Sequence, residues 1–168
     1  MGKTLVLIRH SKAENRDHSV SDIDRQLTEE GRKDSIKMAN LLLKSGIKPD
    51  LILSSSATRA SQTTQIFAKV LKTQAKNLNL SRRLYYCSAK TILDLLDGLQ
   101  DNINCVMVVA HNPGISDLVR GLSSGRIFYM DNTQVIIMEY EIDQWYQVGD
   151  HKPVVFQNHR VTDTPDDQ

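Results

Sequence analysis

The chain has little cysteine, which removes two classes of small protein from consideration. Only Cys87 and Cys105 occur among 168 residues. Two cysteines are too few for a disulfide framework, and their apolar or aromatic neighbours do not form a zinc-ligand pattern. A reduced, cytoplasmic setting is therefore the expected environment of this protein.

An excess of charge of either sign is also missing. The chain has 21 Lys and Arg against 20 Asp and Glu, which gives a formal net charge of +1. Duplex DNA and anionic bilayers select strongly basic surfaces, so neither nucleic acid nor membrane is predicted as a partner. Any anion-binding site must come from a local cluster of basic residues.

Long apolar segments are absent as well. The amino-terminal apolar run, Leu5 to Ile8, has four residues and is shorter than the core of a signal peptide. Val6 occupies the place where a myristoylation motif needs Ser or Thr, and no stretch is long enough to span a membrane. We therefore expect a soluble, unprocessed chain.

No internal repeat or low-complexity segment divides the sequence. The length suits a single hydrophobic core, so we expect one domain over residues 1–156. Residues 157–168 are polar and are predicted to form a flexible tail.

The sequence does contain alternating strand and helix patterns. Continuous apolar runs typical of buried parallel strands cover residues 4–8, 51–53 and 106–109. Helical periodicity is found at residues 28–44, 57–71 and 88–99. This alternation predicts a three-layer α/β/α fold with a mostly parallel central sheet.

The last third of the chain predicts one more helix and a hairpin. Asn112 is a good N-cap and Pro113 suits the first helical position, so a fourth helix should run to about Leu122. Residues 133–140 and 145–148 are rich in β-forming side chains and are separated by a turn-like segment. They predict a terminal antiparallel hairpin.

Arginines and histidines follow three of the predicted strands. Arg9 and His10 end the first strand, Arg59 comes soon after the second, and His111 directly follows the third. The carboxyl ends of parallel strands face one crevice, so these side chains should converge. Arginine binds phosphate oxygens bidentately, and a neutral imidazole can attack phosphorus. The pattern predicts phosphoryl transfer, with helix N-termini near Ala57 and Asn112 adding N–H donors.

Each of these residues alone has a plainer interpretation, as a surface pair, an exposed helix residue or a loop histidine, but their joint placement makes that interpretation much weaker. A metal site on His10 and His111 is disfavoured because the neighbouring arginines would repel a dication and no acidic third ligand is evident. We therefore predict no metal and no cofactor. Three other histidines lie in polar segments and receive no role: His18, His151 and His159.

Four motifs, in this order, resemble those of the histidine phosphatase superfamily. They are Leu7-Ile8-Arg9-His10-Ser11-Lys12-Ala13-Glu14, Arg25-Gln26-Leu27-Thr28-Glu29-Glu30-Gly31, Ser54-Ser55-Ser56-Ala57-Thr58-Arg59-Ala60-Ser61-Gln62-Thr63 and Val108-Val109-Ala110-His111-Asn112-Pro113. The chain is most similar to the short bacterial branch typified by the SixA phosphohistidine phosphatase. The resemblance covers nearly the whole chain up to the terminal hairpin.

The resemblance implies that His10 is the nucleophile and becomes phosphorylated, with three other residues around the phosphoryl oxygens: Arg9, Arg59 and His111. Arg25 matches an arginine near the pocket, and its alternative is an exposed loop residue. Ser11 stands where the superfamily most often has Gly, and we assign it, with Asn112, to substrate binding.

The substrate class is predicted from what the site lacks. The large insert that related mutases and sugar phosphatases use to cover their substrates is missing, so the pocket should be open. No general acid can be named, because the loop acids Glu14, Asp17, Asp22 and Asp24 have the pattern of solvated surface charges. An alkoxide leaves poorly without an acid, whereas the nitrogen of a phosphoramidate can be protonated before it departs. This favours a protein-borne phosphohistidine as substrate.

Two alternatives remain open. One is a small-molecule phosphomonoesterase in which an early loop acid donates the proton. The other is a phosphohistidine-binding or phosphate-sensing module without turnover, although the pair His10 and His111 argues against it, because binding alone does not need a free nucleophile.

Overall fold

The computed structural model describes residues 2–166. Strands and α-helices occur in the order β1 (Lys3–Arg9), α1 (Glu29–Lys44), β2 (Leu51–Ser55), α2 (Thr58–Leu71), β3 (Leu78–Ser81), α3 (Ala89–Asp97), β4 (Cys105–Ala110), α4 (Gly114–Leu122), β5 (Val135–Tyr140) and β6 (Val155–His159). Short 3-10 helices lie at Asp22–Asp24, Ala75–Asn77, Arg82–Leu84, Trp145–Asp150 and Val161–Asp163.

The six strands form one sheet in the order β3-β2-β4-β1-β5-β6. The four strands from β3 to β1 are parallel to one another. Strand β5 runs antiparallel to both of its neighbours, β1 and β6. The predicted α/β fold, with a mostly parallel sheet and a terminal antiparallel hairpin, is confirmed.

Helices cover both faces of the sheet, which explains the continuous apolar run of β1. Leu5 and Leu7 belong to the core beneath α3 and α4, whereas Val6 and Ile8 belong to the core beneath α1 and α2. Successive strand residues point to opposite faces, and all four are completely buried. Burial of each such side chain contributes roughly 1.5–3 kcal/mol to the stability of the fold.

Among residues 2–166, no helix combines the length and the apolar composition that a membrane span requires.

The second strand of the hairpin lies further along the chain than predicted. Residues 145–148 belong to the 3-10 helix Trp145–Asp150. Trp145 and Val148 are both buried, and a spacing of three places them on one side of such a helix. The partner of β5 is instead β6, so the predicted polar tail from residue 157 begins inside a strand.

Two other local predictions need correction. Helix α4 begins at Gly114, with Pro113 at the N-cap after a cis peptide bond, so Asn112 is not the N-cap. The Asn112 amide instead donates to the Met130 carbonyl and accepts from the Ser116 hydroxyl, which occupies both of its polar atoms. The apolar runs in the sequence also predict no strand between the second and third helices, but the edge strand β3 lies there; its central two residues are exposed and carry no apolar run.

Candidate active site

The carboxyl ends of β1, β2 and β4 lie side by side. Arg9 stands opposite Ala110 in the register of β1 and β4. The His10 N–H continues this pairing by donating to the Ala110 carbonyl at 3.1 Å. The rings of His10 and His111 then have centroids only 4.9 Å apart. The sheet topology therefore brings together the two histidines that lie about 100 residues apart in sequence.

A cleft of about 360 Å³ opens above these strand ends. Its lining residues are Arg9, His10, Lys12, Ala13, Asn15, Arg25, Tyr86, His111, Asn112 and Asn132. A second cleft of about 690 Å³ shares Asn15 and Arg25 with it and is otherwise lined by the loop between β1 and α1. The larger cleft contains neither histidine of the pair, so the smaller one is the candidate active site.

The His10 ring is held with one nitrogen free. Its Nδ1 lies 2.8 Å from the Ser11 carbonyl, and a carbonyl can only accept, so Nδ1 carries the hydrogen and the lone pair is on Nε2. The pKa of His10 is lowered from 6.5 to about 3, chiefly by burial and also by His111, Arg59 and Arg9, while the Ser11 hydrogen bond opposes the shift. The ring is therefore neutral near pH 7, which is the nucleophilic form.

Arg9 and Arg59 are both fixed by hydrogen bonds at their terminal nitrogens. Arg9 donates from Nη1 to the Met130 carbonyl at 3.0 Å and to the Tyr129 hydroxyl at 3.3 Å. Arg59 is completely buried and donates from Nη2 to the Tyr86 hydroxyl at 3.0 Å. Among residues 2–166, neither Nε has a hydrogen-bond partner, although both are buried. A phosphoryl oxygen would supply the missing acceptors.

Asp22 accepts hydrogen bonds from three side chains, those of Arg59, Arg25 and Tyr85. Its carbonyl and carboxylate accept from Arg59 at 2.7 and 3.1 Å, and the carboxylate also accepts from Arg25 Nε at 3.0 Å and from the Tyr85 hydroxyl at 2.6 Å. Burial alone would raise the pKa of Asp22, but the hydrogen bonds from Tyr85 and the arginines, with the Arg59 charge, hold it well below its ordinary value. Asp22 is therefore an ionised partner of the arginines and cannot donate a proton near pH 7.

His111 differs from His10 in the nitrogen that is held. Its Nε2 lies 2.7 Å from the Ser55 hydroxyl, whereas Nδ1 is buried and has no partner among the described residues. Burial, together with the Arg59 charge, lowers the pKa of His111 from 6.5 to about 3. The Tyr86 ring lies 5.0 Å from the His111 ring and forms one wall of the cleft.

The three residues predicted to bind substrate differ in their access to the cleft. Arg25 lies at the junction of the two clefts and is tied to Asp22 and to the Glu14 carbonyl. Asn112 lines the cleft, but its amide is used within the protein. Ser11 is completely buried, and its hydroxyl bonds Ser35 at 2.6 Å and accepts from Thr133 at 2.7 Å. We therefore no longer expect Ser11 to contact substrate through its side chain.

The backbone on either side of His10 is held by two close contacts. Thr133 has φ of +61° and donates its N–H to the Arg9 carbonyl at 3.0 Å. A β-branched residue in this conformation costs about 1–3 kcal/mol and persists only where its surroundings fix it. On the other side, a Cβ on Gly31 would lie 2.2 Å from the Lys12 carbonyl oxygen, so only glycine allows this approach. This explains the glycine in the second motif.

Several residues that shape the site were missed by sequence reasoning. The sequence offers Ser55 only as part of a motif, and the pattern around Asp22 is that of a solvated loop acid. The spacing of three between Asp22 and Arg25 was a weak signal for their ion pair, whereas nothing local indicates the contact between Tyr86 and Arg59. No group of three His, Cys, Asp or Glu side chains within residues 2–166 is arranged to hold a metal ion.

The chain is similar in sequence to a known protein family and to a plant protein. A family model for the histidine phosphatase superfamily (branch 1) matches residues 5–84. The chain is also 30% identical over 135 residues to an uncharacterized chloroplastic protein of Arabidopsis thaliana. That match covers 76% of this chain and 62% of the plant protein, so the chain spans less than two thirds of this relative.

The solved structures that match include several SixA proteins. One assigned as the phosphohistidine phosphatase SixA of Agrobacterium tumefaciens has a TM-score of 0.77 and 25% identity, covering 92% of this chain and 97% of that one. The protein histidine phosphatase SixA bound to tungstate has a TM-score of 0.72 and 25% identity, covering 80% and 86%. A SixA structure from Nakamurella multipartitia has a TM-score of 0.79 at 20% identity, covering 94% and 96%, and speaks to the fold alone.

Proposed function

The chain belongs to the histidine phosphatase superfamily, and from this premise we propose that it removes the phosphoryl group from a phosphohistidine on another protein, through an intermediate on its own His10. It is a hydrolase of the phosphatase type, similar to SixA. One observation carries the proposal: a neutral His10 with a free Nε2 lies beside His111, Arg9 and Arg59, and three of their buried nitrogens have no partner within residues 2–166.

The reaction takes place in two displacements. The Nε2 lone pair of His10 attacks phosphorus, and the bond from phosphorus to the substrate nitrogen breaks as that imidazole leaves with a proton it acquired from water. A water molecule then attacks the phosphorus on His10, releasing inorganic phosphate and returning a neutral His10. Each step exchanges one bond to phosphorus for another and needs no oxidant or reductant.

The surrounding donors stabilise the charge on the transferring group. We assign the unpartnered Nε–H groups of Arg9 and Arg59 to the non-bridging oxygens, and His111, whose ring lies 4.9 Å from that of His10, to the same phosphoryl group. These donors are held by hydrogen bonds before substrate arrives, so little reorganisation is needed in the transition state.

The absence of an evident acidic proton donor among the described residues that contact Arg59 supports a protein-borne phosphohistidine as substrate. Asp22, the loop acid that lies against Arg59, is held ionised and is therefore no proton donor. A phosphoramidate tolerates this better than an ester does, because its nitrogen can be protonated in solution.

The rim of the cleft also suits a macromolecule. Phe128 and Tyr129 are 76% and 55% exposed, and the Tyr129 hydroxyl contacts Arg9. Arg120 lies 4.5 Å from the Phe128 ring, and such exposed aromatic and arginine side chains are enriched at protein interfaces. A protein that presents phosphohistidine to His10 would pass over this rim.

A small-molecule phosphomonoesterase remains the second candidate because of the larger cleft. Its lining includes Glu14, Asp17 and Asp24, any of which could approach a small ester that extends from the phosphoryl site past Arg25. An ester substrate would need such an acid.

Rapid quench with a ³²P-labelled phosphohistidine protein tests the proposed intermediate. We expect an acid-labile, base-stable phosphoprotein that is lost in His10→Ala. Label on a serine as an acid-stable ester would contradict the mechanism.

Substrate class is tested by comparing kcat/KM for the phosphohistidine protein, phosphoramidate and a panel of phosphate esters. We expect Phe128→Ala to raise KM for the protein substrate about threefold or more without affecting phosphoramidate. Tyr146→Ala is the matched control, because Tyr146 is also exposed but follows Trp145, which contacts Lys3 at the opposite end of β1. Faster hydrolysis of an ester than of the phosphoprotein would favour the second candidate.

A further inference from the structure

We infer that Ser55 is a positioning residue whose hydroxyl fixes neutral His111 in the tautomer that carries its hydrogen on Nδ1. The role of this tautomer rests on the proposed function, whereas the tautomer itself is a property of the free protein. Ser55 is the last residue of β2 and is completely buried, and its Oγ lies 2.7 Å from His111 Nε2.

The direction of this hydrogen bond follows from the other partner of Ser55. A serine hydroxyl has one hydrogen to donate and can accept two hydrogen bonds. Ser55 Oγ accepts from the Ala57 N–H at 3.2 Å, which can only be a donor. Of the two partners that Oγ has within residues 2–166, only His111 Nε2 can therefore receive the hydroxyl hydrogen.

Both tautomers leave His111 Nδ1 without a partner among the described residues, but the opposite arrangement leaves a second buried group unsatisfied. If Nε2 carried the hydrogen, Ser55 Oγ would accept from both His111 and Ala57, and its own hydrogen would have no acceptor at either partner. The low pKa of His111 keeps the ring from holding both hydrogens near pH 7 in the free protein. The two neutral tautomers are thus the forms to compare, and the Ser55 contacts select one.

This selection decides what His111 offers to the phosphoryl group. Nδ1 is the ring nitrogen without a partner among the described residues. With its hydrogen in place, Nδ1 is a donor that attracts a phosphoryl oxygen, and without it the nitrogen lone pair would repel that oxygen. Ser55 thereby makes His111 a third donor beside the free Nε–H groups of Arg9 and Arg59.

The neighbouring Ser54 provides a matched control. It is also completely buried in β2, but its hydroxyl donates to the Ser55 carbonyl at 2.9 Å. Ser54→Ala therefore removes a buried hydroxyl from the same strand without touching the bond to His111. Ser55→Ala removes the proposed donor, and Ser55→Thr keeps a hydroxyl at this position.

The experiment is long-range ¹⁵N–¹H NMR of the histidine rings near pH 7, with His111 assigned by loss of its signals in His111→Asn. We expect a protonated Nδ1 and an unprotonated Nε2 in the wild type, in Ser54→Ala and in Ser55→Thr. Ser55→Ala should show the Nε2-protonated form or a mixture. A wild-type His111 protonated on Nε2, or an unchanged tautomer in Ser55→Ala, would overturn the inference.

Tungstate binding and phosphoramidate hydrolysis, measured on the same variants, give the functional readout. We expect Ser55→Ala to weaken tungstate binding and to lower kcat by about tenfold or more, with Ser55→Thr restoring both to within about threefold. Equal binding and kcat in Ser55→Ala despite a changed tautomer would also overturn the role given to Ser55. Absence of hydrolysis in the wild type would instead refute the proposed function, while the NMR result would still decide the tautomer.

Discussion

Arg59→Lys is the substitution that tests the site most directly. Arg59 uses Nη1 and Nη2 within the protein, on Asp22 and Tyr86, and keeps Nε free. A lysine ammonium at this position can still pair with the Asp22 carboxylate, but its single nitrogen cannot also reproduce the separate Nε–H donor. The variant therefore keeps the positive charge and loses the free Nε–H donor.

The expected magnitude follows from the bond that is lost. A hydrogen bond to a charged group is worth about 1.5–3 kcal/mol, and the interaction of Arg59 should strengthen as charge develops on the transferring group. The upper end of that range, about 3 kcal/mol, corresponds to a loss of roughly a hundredfold in kcat/KM. The fold should be retained, because the ion pair with Asp22 survives in the variant.

The assay measures kcat/KM for the phosphohistidine protein together with the tungstate dissociation constant by calorimetry. Arg25→Lys is the control, since Arg25 also bonds Asp22 but lies at the cleft junction, where we expect a rise in KM more than a fall in kcat. If Arg59→Lys matched the wild type in kcat/KM and in tungstate affinity, at an unchanged melting temperature, the phosphoryl group would not contact Arg59 and the arrangement proposed for the site would be wrong.

The remaining predictions concern charge balance, metal ions and protonation. Asp22→Asn should lower the free energy of unfolding in urea by about 2 kcal/mol. This is less than for a fully buried ion pair, because the Asp22 side chain is 23% exposed. An unchanged stability would mean that the ion pair with Asp22 does not stabilise the fold. Dialysis against EDTA should leave activity intact, and loss of activity restored by a divalent ion would contradict the metal-free prediction. Burial holds the pKa of His10 and His111 at about 3, so their NMR signals should not titrate between about pH 8 and 5, where a free imidazole would. The folded state then binds fewer protons than the unfolded chain between about pH 6.5 and 3, so stability should fall as pH is lowered through that window, and a flat stability profile would contradict these shifts.

The sequence predicted the central part of the fold because its signals there are local. Strands β1, β2 and β4 are buried on both faces and therefore read as continuous apolar runs. The first and third helices begin where Thr28 and Ser88 cap them with hydroxyl groups. The carboxyl-end rule for parallel strands then indicated that His10 and His111 should meet.

Local signals failed where the surroundings decide the conformation. Trp145 and Val148 have β-forming side chains, but packing against the core takes them into a 3-10 helix. Strand β6 has no fully buried residue and its last three residues are polar, so the sequence shows little sign of the strand that its pairing with β5 forms. At Asn112, contacts with Met130 and Ser116 replaced the expected capping role.

The sequence by itself determined the order of strands and helices and the residue types at the strand ends, because hydrophobic periodicity and motif spacing are properties of neighbouring residues. Only the tertiary structure decided the protonation and the hydrogen bonds of those residues. The pKa values of His10 and His111 depend on burial and on distant arginines, the ionisation of Asp22 depends on Tyr85 and Arg59, and the hydrogen on His111 depends on Ser55 from another strand. Protonation and hydrogen-bond direction are set by groups that approach only when the chain folds.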